Sequence, residues 1–196
     1  LLPGLAALLW HRRSGGSALF KSVAVHGVAV VAILFSGVIV PGYSVLELLT
    51  LKQHDFIGMA TAVHSGSFVQ LTPLEPNLWS FLRGMPHALY MTFLSPFTAF
   101  SNGALGMFAA LENLPLVLLP IIALRYRRKW SGMDRASMLF ALSFILFLAV
   151  LIGLTVPVIG ALVRYRIPLL PFLSLATLLI IDARRLPRWL PFTSPA

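Results

Sequence analysis

An all-α, polytopic membrane helix bundle with about four spanning helices is the fold this sequence predicts, and three observations predict it. Of its 196 residues, 58% are hydrophobic and only 11% charged, with a mean hydropathy of +0.89. A soluble domain carries about 25% charged residues. Four apolar stretches approach the roughly 20 residues that cross a bilayer. The basic residues gather at the ends of those stretches, so the net charge of +9 and pI near 11.1 are read as a topogenic signal and not as a nucleic-acid footprint. The absence of cysteine excludes disulfides, thiolate metal sites and cysteine nucleophiles.

The chain starts with residues 1–10, an apolar segment too short to span and without a basic n-region, which reads as the end of a truncated helix. The 196 residues are accordingly expected to form a single membrane domain from the C-terminal part of a longer chain. The first spanning helix is expected at 22–40, stopped by Pro41-Gly42. A second, at 104–124, has N-cap candidates in Ser101 and Asn102 and ends in a run of basic residues from Arg125 to Lys129. The third, at 136–156, follows Asp134-Arg135 and closes at Gly153-Leu-Thr-Val-Pro157, a hairpin signal. The fourth, at 160–182, carries Arg164 and Arg166 about one turn inside its start.

Counting charges orients the bundle. If Arg12, Arg13 and Lys21 are cytoplasmic, alternation places Arg125, Arg127, Arg128, Lys129, Arg135, Arg184, Arg185 and Arg188 on the same side, together with the C-terminus. Lys52, Arg83, Arg164 and Arg166 are then outside. Trp10, Tyr43, Tyr126, Trp130, Tyr165 and Trp189 fall at span ends, as interfacial aromatics do.

Residues 41–103 become one extracytoplasmic connection, too long to be structureless. Within it Ser44 to Ala62 reads as an interfacial amphipathic helix, with Leu48, Leu49, Leu51 and Phe56 set among Glu47, Lys52, Gln53, His54 and Asp55. Ser67–Leu71 reads as one short strand, and Asn77 as the cap of a helix from Leu78 to Phe93. Arg83 and His87, four apart, share a face of that helix and are candidates to line an outer cleft.

The residues that carry chemistry are few. Arg164 and Arg166 lie on the side that the positive-inside rule leaves poor in basic residues, so an anionic partner is expected to offset their desolvation. Guanidinium forks suit phosphate oxygens. Three readings stay open: phosphate binding, snorkelling into the headgroup layer, and a buried ion pair. Two residues apart is about 200° around a helix, so either the backbone is irregular near Pro168 or only one arginine faces a site. Glu112 and Asn113 fall near mid-membrane and are expected to face the protein interior. They are either a hydrogen-bonding pair serving backbone groups freed by Pro115, or a carboxylate that orients an arginine or joins a proton path. His11, His26, His54, His64 and His87 lack metal-ligand spacing, so no metal is expected; no cofactor is identifiable, and His54-Asp55 reads as a solvated face.

The run Gly160-Ala-Leu-Val-Arg-Tyr-Arg-Ile-Pro-Leu-Leu-Pro-Phe172 resembles the Arg-Tyr-x-x-Pro-x-x-Pro type of motif near the C-terminal end of bacterial GT-C-like glycosyltransferases. Ala88 to Pro120, with Ser95-Pro96-Phe97 and Ala109-Ala-Leu-Glu-Asn113, is similar to the stretch preceding that motif, so the likeness covers about residues 67–186. The resemblance implies a multi-pass protein of the bacterial inner membrane that moves a sugar from a polyprenyl-phosphate carrier to an envelope acceptor on the extracytoplasmic face. It implies Arg164 and Arg166 as carrier-phosphate ligands with Tyr165 beside them, and a catalytic carboxylate on a loop outside these 196 residues. The alternatives are a transporter or flippase fragment, and an envelope scaffold whose arginines bind anionic lipid.

Overall fold

The computed structural model describes residues 1–95, 103–128 and 134–185. Ser101, Asn102, Lys129, Trp130, Arg188 and Trp189 lie outside them, as does the Pro96-Phe97 pair. The described residues are all-helical, with no strand. In chain order the helices are α1 (Leu2–Ser14), α2 (Ala18–Leu34), α3 (Ser36–Ile39), α4 (Val45–Ala62), α5 (Leu78–Phe93), α6 (Gly103–Arg125), α7 (Arg135–Thr155), α8 (Ile159–Tyr165) and α9 (Leu169–Ile180).

The helix starts are locally encoded. Ser17, Ser44, Asn77 and Asp134 each accept a hydrogen bond from the backbone N–H three residues on, which satisfies a donor that the first helical turn leaves unpaired. Asp134 also accepts from the Ser137 hydroxyl at 2.6 Å, and these bonds hold its carboxyl below the usual range. Lys21 is buried between α1 and α2, where its Nζ donates to Gly15 O, Ser14 Oγ and Trp10 O. A cation at the C-terminal end of α1 also complements the helix dipole.

Helix α7 is the hub, packing against α1, α2, α4, α5 and α9. Its buried positions include Ala141, Ile145, Ala149 and Ile152, an i, i+4, i+8, i+11 stripe of one helical face. Leu116, Leu169 and Leu173 close on this stripe from α6 and α9. On another side α5 comes close enough that a Cβ added to Gly153 would lie 2.0 Å from the Ala88 carbonyl oxygen. The Thr92 hydroxyl donates to Ala149 O across the same contact at 2.6 Å. Small residues and a hydroxyl-to-carbonyl bond are how helices pack where burial against lipid drives nothing.

Four sequence expectations are corrected. The span expected at 22–40 is helical from Ala18 to Leu34 and breaks at Phe35, where Ser36 Oγ donates to Ile33 O and accepts from Val45 N, tying the break to α4. The segment expected to end a truncated helix at residue 10 continues to Ser14. The span expected at 160–182 is two helices, α8 and α9, bent by 59° at Arg166–Pro168. Pro168 lacks the N–H that a continuous helix needs. The strand at Ser67–Leu71 is a single antiparallel bridge, Phe68 to Val158. Among the described residues α7 alone is long and apolar enough to cross a membrane, with α8 and α9 a second if taken as one broken span.

The described part of the connection, residues 41–95, packs onto the bundle, and Gln53 holds it there. This side chain is 3% exposed. Its Nε2 donates to Leu154 O at 2.7 Å and Thr72 O at 3.1 Å, and its Oε1 accepts from Leu74 N at 2.8 Å. Gln53, set among the polar residues of the expected amphipathic helix, is therefore turned inward. Gln53→Leu should leave three backbone groups unpaired, the two buried ones, Leu154 O and Leu74 N, at about 1–3 kcal/mol each before relaxation. We expect hydrogen exchange at residues 69–75 to speed up while α7 stays protected; unchanged exchange there would remove Gln53 as the clamp.

Candidate functional site

Beyond the Gln53 clamp, α5 and the segment 71–77 enclose a cleft of about 370 Å³ at the C-terminal end of α7. Its floor is Gly153 and Leu154, and Gly84 keeps the α5 wall low. Arg83 and His87, expected to share a helix face, both line it and are exposed. The His87 ring stacks near Tyr90 with centroids 6.3 Å apart.

Glu75 and Trp79 also line the cleft, and sequence reasoning missed both. Glu75 Oε2 accepts from Asn77 Nδ2 at 2.8 Å, and its backbone N–H donates to Ser80 Oγ at 3.1 Å. The carboxylate is thus held by the same turn that caps α5. Trp79 is 72% exposed, which presents a broad ring at the cleft mouth. The available signal was the position of both residues: each is within two of the Asn77 cap, Glu75 just ahead of it and Trp79 on the first turn of the helix that carries Arg83.

One helical turn deeper along the α5–α7 contact, from Ala88 and Gly153 to Thr92 and Ala149, lies a second polar group. Arg166 is 4% exposed. Its Nη1 donates to Asn113 Oδ1 and, at 3.3 Å, to Thr92 O. Asn113, fully buried, donates from Nδ2 to Phe93 O at 2.6 Å. Asn113 therefore faces the interior as expected, but it serves the end of α5 and not the backbone freed by Pro115. Glu112 precedes it on α6, with its side chain outside what the structure describes.

Arg164 and Tyr165 go the other way. Arg164 is exposed and its side chain makes no hydrogen bond or ion pair with a described residue, and Tyr165 is half-exposed with its ring 6.3 Å from that of Phe56 on α4. The expected trio does not converge. The bend at Arg166–Pro168 turns one arginine into the core and leaves its neighbour on the surface. Burial also takes Arg166 out of reach of a ligand at the surface.

Four of the basic residues expected on one side, Arg127, Arg128, Arg135 and Arg185, line one groove. His11, Arg127, Arg128, Arg135 and Arg185 surround the N-terminal end of α7, which its 21 residues separate from the cleft by about 30 Å. Among the described residues no group of three or more His, Asp or Glu is arranged to hold a metal ion. The chain matches no family model, no curated protein and no solved structure.

Proposed function

We propose that this chain is the membrane-embedded part of a polyprenyl-phosphate-sugar-dependent glycosyltransferase, with its substrate cleft on the extracytoplasmic face of the bacterial inner membrane. The observation that carries the reading is the meeting of Arg83, His87, Glu75 and Trp79 in one cleft at the end of the bundle opposite the arginine cluster. Embedding in lipid, with four spans, is supported by apolar side chains left outward along the helices. Leu19, Phe20, Val23, Val28 and Val31 on α2, and Phe108, Leu111, Ile121 and Leu124 on α6, are all exposed. Surfaces of this kind belong against lipid or another apolar partner.

In this reading the bond between the anomeric carbon and the carrier phosphate breaks, and the phosphate leaves with the electron pair. Arg83 compensates the charge that develops on it. The acceptor hydroxyl forms the new bond to the anomeric carbon and gives its proton to a carboxylate. Glu75 is the carboxylate that lines the cleft, whereas the family resemblance places the catalytic carboxylate on a loop outside these 196 residues. Trp79 offers a flat apolar face with a polar edge, suited to a sugar ring.

The test is retention of polyprenyl phosphate against the uncharged polyprenol by protein purified in mild detergent, measured by native mass spectrometry. The wild type should prefer the phosphate. Arg83→Ala should weaken it about 10- to 100-fold, the worth of one hydrogen bond to a charged group. Equal retention of both lipids by the wild type would end the carrier reading. A second reading, a transporter or flippase, draws on the broken α8–α9 pair, since interrupted helices flank transport sites. Carrier movement across vesicles without sugar transfer would select it.

A further inference from the structure

At the arginine end of the bundle a groove of about 1230 Å³ runs between the α1–α2 turn, the start of α7 and the ends of α6 and α9. Its walls are apolar, with Leu19, Leu124, Leu142 and Ile180 among them, and the first three are exposed. Its rim carries Arg127, Arg128, Arg135 and Arg185. Asp134 is the one carboxylate lining it among the described residues, and that group is already engaged by Ser137. Asp182 takes up part of the charge of Arg185, 3.3 Å away. The rim therefore stays net positive.

The rim is also held in place. Arg128 N donates to Ile180 O and Asp182 N to Tyr126 O, both at 2.8 Å, pairing Arg127 with Ile181 and locking the end of α6 to the end of α9. The Arg128 guanidinium closes the clamp with two bonds to Ile181 O, at 3.0 and 3.1 Å. Fixed donors lose little freedom when they receive an anion.

We propose that this groove holds one phospholipid with an anionic headgroup, its phosphate at the arginine rim and its acyl chains along Leu19, Leu124, Leu142 and Ile180. A free phosphate matches the rim but leaves the walls uncovered; a zwitterionic lipid covers the walls but leaves the positive rim uncompensated. Basic pockets between membrane helices on the cytoplasmic side bind anionic headgroups by the same balance. The proposal rests on the bundle lying in lipid and is independent of the outer cleft.

The test offers the intact chain, in mild detergent, equal amounts of phosphatidylglycerol and phosphatidylcholine and counts retained lipids by native mass spectrometry. The wild type is expected to keep one phosphatidylglycerol. Arg127→Gln/Arg135→Gln should retain it about 30-fold less, from the attraction each basic side chain has for an anionic surface. Leu142→Trp, which fills the groove and leaves every arginine, should lose it as well. Melting curves identify a variant that fails to fold, and if the double variant does, Leu142→Trp decides alone. Equal retention of the two lipids by the wild type overturns the proposal. So does undiminished retention in folded Leu142→Trp, or displacement of the lipid by inorganic phosphate. Polyprenyl-phosphate retention in the same variants should be unchanged, which separates a failure here from a failure of the outer cleft.

Discussion

Gly153→Ala is expected to separate α5 from α7 and to cost more stability than any other single methyl group added at a described glycine. The new Cβ would lie 2.0 Å from Ala88 O and 2.6 Å from Ala88 C and Cα. All three are backbone atoms, so no rotamer change relieves the clash and the whole of α5 has to move. Overpacking of side chains costs about 1–3 kcal/mol. Displacement of a helix lies at or above the top of that range, and the gain of about 1 kcal/mol in helix propensity does not offset it. The same shift would break the Thr92–Ala149 bond and open the floor of the cleft. Gly160→Ala is the control, because nothing lies within 4 Å of its added Cβ. Because the chain has no cysteine, an engineered pair across α5 and α7 reports the separation without background. If Gly153→Ala melts with the wild type and cross-links at the same rate, the close approach of the two helices is wrong.

Arg166→Ala is expected to destabilise the bundle by about 3 kcal/mol, while Arg164→Ala changes stability by less than about 0.5 kcal/mol. Removing the buried guanidinium leaves Asn113 Oδ1 and Thr92 O, both on fully buried residues, without that donor. Arg166→Lys should recover only part of the loss, since a single ammonium does not reproduce the planar fork. The Arg164 side chain makes no hydrogen bond or ion pair with a described residue, so its removal leaves no buried group unpaired. Thermal unfolding of the three variants in one detergent decides between these roles. Equal effects at 164 and 166 would show that both face the surface and would restore the paired phosphate site that the sequence suggested.

Much of the local structure was legible. Asn77 and Asp134 mark helix starts through a bond spanning three residues, and Pro157 marks the end of α7, which stops at Thr155, whereas Gly153 lies inside that helix. The pairing of Arg83 with His87 was legible for the same reason, since one helix carries both. Gln53 was misread although a signal was present. It falls on the stripe Leu46, Leu49, Gln53, Ile57, Ala60 that α4 turns inward, and a polar residue there needs buried partners. Those partners, Thr72, Leu74 and Leu154, come from two other segments, and no spacing within α4 announces them.

The sequence by itself determined the all-helical class and the capped helix starts. Each follows from composition or from bonds between near neighbours along the chain. Only the tertiary structure decided which of two neighbouring arginines is buried and which carboxylate joins Arg83 in a cleft. Arg166 meets Asn113 across 53 residues and Thr92 across 74, and Gln53 meets Leu154 across 101. Such contacts depend on how the bend at Pro168 and the close approach at Gly153 set whole helices against one another, because a side chain's partner is fixed by the packing of its helix and not by its neighbours in sequence.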